Sequence, residues 1–302
     1  MRVSVTSDRP DTLRRAVRYT ALFADSNDEA TAITVMALYS DHETHETRRR
    51  FVELRESLIE DLGHMIEAKR RHGKPIEQIL SEVEAHAYDL VVLGIHLRWR
   101  LTQLRPKYIA RHLARRIKVP VLIVFPAWDR LQRVLACTGA EPEDLRIVRA
   151  AGRMAAAAGG EVTVLHVMSQ LPISADAQTE DLTRTAEELM ERGTREGEHL
   201  CQALDILDRA GIPSDRRQVK VRHGLVVDEI IEESEEGHYD LVVVGAPYVS
   251  SKRAWDELRE LIQENVAERV LMGAARPVLV VKASDEGEGG ARTDGRQGGN
   301  EG

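Results

Sequence analysis

The sequence predicts an α/β fold built from two tandem domains, each an open parallel sheet with helices on both faces. Two observations support this prediction. Short runs rich in Val and Ile, bounded by Gly or Pro, alternate with helical periods, which is typical of buried parallel strands joined by crossover helices. The heptapeptide Tyr-Asp-Leu-Val-Val-x-Gly also occurs twice, starting at Tyr88 and at Tyr239, 151 positions apart.

The two heptapeptides belong to a longer series of matched segments that keeps its order along the chain. The matched pairs are 3–16 with 135–148, 32–40 with 161–169, 72–79 with 223–230, and 120–124 with 277–281. Because the order is preserved, we interpret the chain as a duplicated domain. We assign the first domain to 1–127 and the second to 128–283. We expect the Gly-rich, polar tail at 284–302 to be disordered because it cannot bury a core.

The first two helices of the first copy are predicted from apolar stripes that would face the sheet. The residues of these stripes are Leu13, Ala16, Val17, Thr20, Phe51, Leu54, Leu58, Leu62 and Met65. The stretch from Ser40 to His72 is 22 residues shorter than its counterpart from Ser169 to His223. The second copy has room for a strand at Arg216–Val221. We therefore expect the N-terminal sheet to lack one strand.

Composition excludes several classes of protein. Charged residues make up 30% and hydrophobic residues 42% of the chain, as in folded soluble proteins. The net charge of −8 argues against a protein whose whole surface binds nucleic acid. The chain shows no apolar run of membrane-spanning length and no secretion signal at its start. Cys137 and Cys201 form no CxxC pair, so we expect buried thiols and a cytoplasmic location.

Three motifs, strong in the second copy and weaker in the first, resemble those of the universal stress protein family. The second copy contains YDLVVVG, ENVAERVL and PVLVV, and the first contains YDLVVLG, YIARHLARR and PVLIV. The resemblance implies tandem five-stranded parallel sheets of the adenine nucleotide alpha hydrolase-like fold. It also implies an internal pseudo-dimer in which 120–124 pairs antiparallel with 277–281, which would cover two apolar edges. Packing through helices alone, and a homodimer of the whole chain, are the alternatives.

Nucleotide-binding members of that family carry an acidic residue after the first strand and glycines after the fourth. Glycines let the backbone approach phosphate oxygens, which the amides of the next helix then bind. The matching positions here are Thr6 and Thr138 for the acid, Leu97 and Tyr248 for a glycine, and Lys107-Tyr108 and Glu264-Asn265 for Gly-Ser. We therefore expect no tight ATP binding and no cofactor, with an adenine nucleotide as the alternative. The remaining candidate nucleotide contacts are Thr138, Gly139, Val167, Gly245 and Asn265.

The segment 96–116 is rich in Arg and contains no acidic residue. It could bind an anion such as a nucleotide, a polyphosphate, an acidic protein or RNA, and Trp99 and Tyr108 could stack on a base. Alternatively, it is a solvated helix face whose Arg stems cover the sheet. The candidate anion-binding residues are Arg98, Arg100, Arg105 and Lys107.

Histidines are the remaining candidates for site chemistry. His42 and His45 have the spacing of two zinc ligands, but a third ligand is not evident, and a helix N-cap at Ser40 or Asp41 explains the run better. His166 lies on a predicted strand, where we expect it to be packed and hydrogen-bonded. The sequence contains no nucleophile elbow, Walker loop or CxxC motif.

These features predict a non-catalytic, cytoplasmic stress-response protein that acts as a regulatory or protein-binding module. Two alternatives remain open. The chain could bind an adenine nucleotide such as ATP or AMP in one degenerate site, or it could bind anions or nucleic acid through segment 96–116.

Overall fold

The computed structural model describes residues 1–7, 9–24, 31–39, 45–62, 66–95, 113–114, 116–125, 127–169, 184–246 and 266–282. In the first half these residues form β1 (Arg2–Ser7), α1 (Pro10–Ala21), β2 (Ala32–Tyr39), α2 (His45–Leu62), β3 (Ile66–His72), α3 (Pro75–Ala85), β4 (Leu90–Gly94) and β5 (Val121–Val124). In the second half they form β6 (Arg133–Thr138), α4 (Leu145–Ala158), β7 (Glu161–Ser169), α5 (Ala186–Glu191), α6 (Arg195–Arg209), β8 (Arg217–Gly224), α7 (Val226–Glu236), β9 (Leu241–Gly245) and β10 (Val278–Val281). None of the described helices has the length and apolar character that crossing a bilayer requires. The tail 284–302 lies outside the described residues.

The described strands form one continuous sheet in the order β3-β2-β1-β4-β5-β10-β9-β6-β7-β8. Neighbouring strands within each half are parallel, as the alternation of strands and helices predicted. The halves meet where β5 and β10 pair antiparallel, with Leu122 opposite Leu279. The antiparallel pairing predicted between 120–124 and 277–281 is therefore present, and both strands are fully buried.

The prediction that the N-terminal sheet lacks a strand is wrong. Residues Ile66–His72 form β3, which pairs in parallel with β2. The segment IEAKRRH shows no apolar alternation because it is an edge strand whose side chains are exposed or half-buried. Two of its cations, Lys69 and Arg71, bind Glu82 of α3 instead of entering a core. The first half is shorter because of its helices. The described residues contain one helix, α2, between β2 and β3, and two helices, α5 and α6, between the corresponding strands β7 and β8.

Helices cover both faces of the sheet, and the predicted stripes face it. The described stripe residues are all buried: Leu13, Ala16, Val17, Thr20, Phe51, Leu54 and Leu58. The side chain of Leu62 and the whole of Met65 lie outside the described residues. In the central strands alternate residues enter one of two apolar clusters on opposite faces, and each cluster contains residues from both halves. The core is thus continuous across the junction of β5 and β10.

The tyrosine of the repeated heptapeptide binds a buried carboxylate. Tyr88 Oη donates to Glu82 Oε1 at 2.8 Å, and Tyr239 Oη donates to Glu233 Oε1 at 3.0 Å. Both glutamates are almost inaccessible to solvent, and each also binds a Lys and an Arg of the neighbouring edge strand. A buried charge is tolerated when it is paired and hydrogen-bonded. The tyrosine therefore has a structural reason to occur in both halves.

The aspartate of the heptapeptide joins the amino ends of neighbouring strands. Asp89 Oδ2 accepts the N–H of Arg2 at 2.7 Å. Asp240 Oδ2 accepts the N–H groups of Gln132 at 2.9 Å and Arg133 at 3.0 Å. The repeated Tyr-Asp pair thus fixes the amino edge of each parallel sheet and leaves the carboxyl edge for other roles.

Candidate functional site

The candidate site of the second half lies at the carboxyl ends of β6, β7 and β9, the edge where open α/β sheets bind ligands. Thr138 ends β6, Val167 lies on β7 and Gly245 ends β9. Gly139 follows Thr138, and β6 lies between β7 and β9, so these residues are neighbours. Five other predicted residues lie outside the described part of the chain: Arg98, Arg100, Arg105, Lys107 and Asn265.

Thr138 is the centre of a buried cluster of hydrogen bonds. Its Oγ1 lies 2.7 Å from Nε2 of His199 on α6 and accepts the N–H of Ala140 at 3.1 Å. Its carbonyl oxygen accepts the Nδ1–H of His166 at 3.1 Å. Thr138 and His166 are each 6% exposed and His199 is 4% exposed, so the cluster faces the interior. Burial lowers the pKa of both histidines and favours their neutral forms.

A carboxylate closes the turn that follows β6. The N–H of Gly139 donates to Asp144 Oδ2 at 2.8 Å. An N–H in such a turn is the kind of group that binds a phosphate oxygen, but here it already binds an internal anion. Ala140 has a φ of 62°, in the left-handed region that costs a residue other than glycine about 1 kcal/mol. The bonds at Gly139 and Ala140 therefore stabilise a strained turn.

Arg146 occupies the space beside the end of β9. Its Nη2 donates to the carbonyl of Ala246 at 2.8 Å, and its Nη1 donates to the carbonyl of Glu143 at 3.3 Å. A Cβ added at Gly245 would lie 3.0 Å from Ile147 Cδ1 and 3.4 Å from Arg146 Nη2. The glycine thus allows α4 to pack closely against the strand end. Burial lowers the pKa of Arg146, and its Nε is buried without a hydrogen-bond partner among the described residues.

The same edge of the first half is packed in a different way. Thr6 Oγ1 donates to the carbonyl of Met36 on the neighbouring strand at 3.0 Å. A Cβ added at Gly94 would lie 3.1 Å from both Cγ2 and the carbonyl oxygen of Thr12, and 3.2 Å from Ala16 Cβ. The backbone of α1 therefore lies directly against the end of β4.

Three residues of the second-half site were not predicted from the sequence: Asp144, Arg146 and His199. Asp144 and Arg146 follow Gly139 closely, so a search for charged groups at the start of the next helix could have found them. His199 is 61 positions from its partner Thr138, and no local pattern indicates that contact. The prediction that His166 is packed and hydrogen-bonded is confirmed.

The other residues considered for chemistry are not brought together. His45 is the first residue of α2 and is exposed, and His42 lies outside the described residues. Within the described ranges, no group of His, Cys, Asp and Glu could hold a metal ion. Cys137 is buried as predicted, but the prediction of a buried thiol is wrong for Cys201, which is exposed on α6; neither forms a disulfide. Burial raises the pKa of the Cys137 thiol, which keeps it protonated and unreactive.

A comparison with protein families identifies the chain. The model of the universal stress protein family matches it twice, at residues 1–124 and 130–282. The chain belongs to the universal stress protein family. Two matches in one chain confirm the predicted tandem arrangement. No curated protein matches this universal stress protein in a sequence comparison.

Solved structures share the fold over almost the whole chain. A universal stress protein from Archaeoglobus fulgidus DSM 4304 is 18% identical, with a TM-score of 0.60 over 94% of this chain and 98% of its own. A functionally unknown protein from Pseudomonas aeruginosa PAO1 is 15% identical, with a TM-score of 0.62 over 93% of this chain and 92% of its own. At these identities the similarity concerns the fold alone, and it confirms the predicted α/β class.

Proposed function

We propose that this universal stress protein is a non-catalytic regulatory module of the cytoplasmic stress response that binds a protein partner and does not bind ATP tightly. The observation that carries the proposal is the occupation of the carboxyl edge by the protein's own charges. Asp144 binds the N–H of Gly139, and Arg146 binds the carbonyl of Ala246 beside Gly245.

The position of Asp144 disfavours a triphosphate for an electrostatic reason. A phosphate oxygen that binds the N–H of Gly139 must displace Asp144 Oδ2 and break a charge-assisted hydrogen bond. The displaced carboxylate would stay close to the phosphate. Two like charges at about 4 Å repel by about 4 kcal/mol at a near-surface effective dielectric constant, which lowers affinity about a thousandfold.

The first half supports the proposal in a different way. An added Cβ at Gly94 would meet the carbonyl oxygen and the Cγ2 methyl of Thr12, both at 3.1 Å. A carbonyl oxygen repels phosphate oxygens, and the close approach of α1 leaves them little space. Neither Gly94 nor Gly245 is therefore open on its helix side.

Burial of the Thr138–His199 pair supports the absence of catalysis. A nucleophile and its base must reach a substrate, but these two side chains are 6% and 4% exposed. The Thr138 hydroxyl is also engaged by the N–H of Ala140. We assign the pair to the support of the turn after β6.

We also propose that the chain is an internal pseudo-dimer. Each half supplies the antiparallel strand that covers the last strand of the other, since β5 pairs with β10. Strand edges that would otherwise attract a second chain are thereby covered. A protein partner would then bind the helical faces or the outer edges, β3 and β8.

Nucleotide titration of the full chain tests the proposal. We expect no change in melting temperature with millimolar ATP, AMP or cyclic AMP. The test is sensitive, because a ligand that binds and is present at a hundredfold excess over its Kd adds about 2.7 kcal/mol of stability. Asp144→Asn should raise the affinity for adenylates. Asp205→Asn, which removes one exposed charge from α6, is the matched control. A micromolar Kd for the unaltered protein would contradict the proposal and favour the nucleotide-binding alternative.

The partner and the Arg-rich alternative are tested separately. Chemical cross-linking in stressed cells, followed by purification of the chain, should recover a protein partner, and recovery of none under any stress counts against the proposal. Salt-dependent retention on an anionic matrix that Arg98→Ser, Arg100→Ser and Arg105→Ser together abolish would instead favour anion binding through segment 96–116.

A further inference from the structure

Two buried imidazoles bind one threonine in the second half. His166 reaches Thr138 from β7 through the carbonyl oxygen, and His199 reaches it from α6 through Oγ1. A carbonyl oxygen only accepts, so Nδ1 of His166 carries the proton. The neutral His199 ring with a bare Nε2 accepts the Thr138 hydroxyl proton. That arrangement leaves Oγ1 free to accept the N–H of Ala140 as well.

Charged and titratable groups face this pair from every element around it. Burial is the main cause that lowers the pKa of His166, and it is opposed by the Thr138 carbonyl, Glu196 and Asp144 and assisted by His223. Burial also lowers the pKa of His199, opposed by Asp144 and Glu141 and assisted by His166 and Arg195. Arg195 is already paired with Glu141, and Nε2 of His223 is buried without a hydrogen-bond partner among the described residues.

We propose that the cluster of His166, Thr138 and His199 is an acid-sensitive latch that releases the turn after β6 and the start of α6 when the two histidines are protonated. Its operation does not depend on whether the carboxyl edge binds nucleotide or on which partner the chain binds. With this latch, the second half would respond to acidification.

Protonation changes the bonding of the cluster in discrete steps. A protonated His199 must donate to Thr138 Oγ1, so the hydroxyl proton loses its buried acceptor. A second charge on His166 then lies on the other side of the same threonine. Thr138 Oγ1 must then accept from His199 as well as from the N–H of Ala140, and its own proton has to turn in a new direction. The strained Ala140 turn depends on this oxygen for one of its bonds, so we expect it to be the first part that protonation weakens.

The first half lacks the latch. Ala37 stands at the position that corresponds to His166, and the Thr6 hydroxyl donates to the carbonyl of Met36 instead of binding a histidine. Protonation of the latch should therefore act on the second half alone.

The pH range follows from the direction of both shifts. A histidine whose pKa is lowered by folding contributes stability that is complete above its ordinary value of about 6.5. That contribution is lost as the pH falls from about 6.5 through the folded-state value. Two such groups lower the ratio of folded to unfolded protein by up to about a hundredfold per pH unit.

The experiment compares urea unfolding of the full chain with that of His166→Asn/His199→Gln between pH 7.5 and 5.0. The amides keep donors or acceptors near the Nδ1 and Nε2 positions but do not titrate. We expect the free energy of unfolding of the unaltered protein to fall more steeply with decreasing pH than that of the variant. The difference in slope should correspond to the uptake of up to two more protons on unfolding. A purely structural role would give the same difference at every pH. His45→Gln, which replaces an exposed histidine outside the cluster, is the matched control.

Two measurements on the unaltered protein keep the proposal testable if the variant does not fold. Histidine NMR titration should place both pKa values below about 6.5. Hydrogen exchange, corrected for its intrinsic pH dependence, should show lost protection below pH 6.5 at 138–144 and 195–203 but not at 6–20. Ordinary pKa values, or equal loss of protection in both halves, would overturn the latch.

Discussion

The two halves share the bonds at the amino edge of their sheets and differ at the carboxyl edge. At the amino edge, Asp89 and Asp240 each bind the start of the neighbouring strand. At the carboxyl edge, Thr6 binds a backbone carbonyl in the first half, whereas Thr138 binds two histidines in the second. Duplication thus preserved the edge that stabilises the sheet and allowed the edge that binds ligands in such folds to diverge.

Both halves also share an ion-pair network on the edge strand, but the arginine of this network has different numbers of partners in the two halves. Arg71 binds Glu82 through Nε at 3.1 Å and through Nη2. Its counterpart Arg222 binds four carboxylates: Glu229, Glu232, Glu233 and Glu236. The second-half network is therefore redundant. In the first half Arg71 has Glu82 as its one described carboxylate, and Lys69 has only Glu67, at 3.7 Å, in addition to Glu82.

The largest expected effect is that of Glu82→Ala. The glutamate side chain is fully buried, and its loss leaves Tyr88 and Lys69 without their shared partner. We expect the free energy of unfolding to fall by about 3 kcal/mol, as when one member of a buried ion pair is removed. Glu233→Ala should cost about 2 kcal/mol because Arg222 keeps other carboxylates. Urea unfolding at pH 7 measures both, and an equal or larger loss for Glu233→Ala would refute the role of redundancy.

The same glutamate predicts an acid transition separate from that of the histidines. Burial would raise the pKa of Glu82, but hydrogen bonds from Arg71, Lys69 and Tyr88 outweigh it and lower the pKa to about 2. Its contribution to stability is therefore present above the ordinary value of about 4.3 and is lost as the pH falls through about 2. Glu82→Gln should remove this dependence, and Glu84→Gln, an exposed change on the same helix, should retain it.

The next effect distinguishes the two aspartates of the repeated heptapeptide. Asp240 is fully buried and accepts bonds from Arg130, Gln132 and Arg133, whereas Asp89 is exposed and accepts a bond from Arg2. Asp240→Ala should lower the free energy of unfolding by about 2 kcal/mol, because it leaves backbone N–H groups unpaired. Asp89→Ala should cost less than about 1 kcal/mol. Equal losses in thermal unfolding would show that the additional bonds of Asp240 contribute nothing.

Sequence reasoning predicted what depends on apolar patterning. The duplicated order of strands and helices follows from buried Val- and Ile-rich runs, and the structure confirms it. The pairing of 120–124 with 277–281 was implied by the family resemblance, and β5 and β10 do pair antiparallel. The strand IEAKRRH was not predicted, because an edge strand held by ion pairs has no apolar period. His199 was not predicted, because its contact with Thr138 depends on how α6 crosses the sheet.

A smaller effect distinguishes Gly94 from Gly245, the glycines that end β4 and β9. An added Cβ at Gly94 meets the backbone oxygen of Thr12 at 3.1 Å, which α1 cannot easily move. At Gly245 it meets the end of the Ile147 side chain at 3.0 Å, which can change rotamer. Gly94→Ala should therefore cost about 1.5 kcal/mol and Gly245→Ala about 0.5 kcal/mol in urea unfolding. The opposite order would mean that the helix start is more easily displaced than the isoleucine.

The last effect, smaller than that of Gly94→Ala, concerns a bond that crosses from one half to the other. Tyr19 of α1 is fully buried and donates its hydroxyl to the carbonyl of Asp240 at 3.0 Å. Burial, and then the charge of Asp240, raises the pKa of Tyr19, so the hydroxyl stays a donor throughout the neutral range. Tyr19→Phe keeps the ring and leaves one carbonyl unpaired, which should cost about 1 kcal/mol.

The readout for Tyr19→Phe is the cooperativity of urea unfolding as well as its midpoint, because the lost bond couples the halves. Tyr19→Leu, which also removes the ring from the core, is the contrasting variant and should cost more. If Tyr19→Phe leaves both midpoint and cooperativity unchanged, β5, β10 and the continuous core couple the halves without this hydroxyl. The counterpart of Tyr19 is Ala151, which has no hydroxyl to donate. The junction is thus asymmetric at this bond, although the strands that form it match.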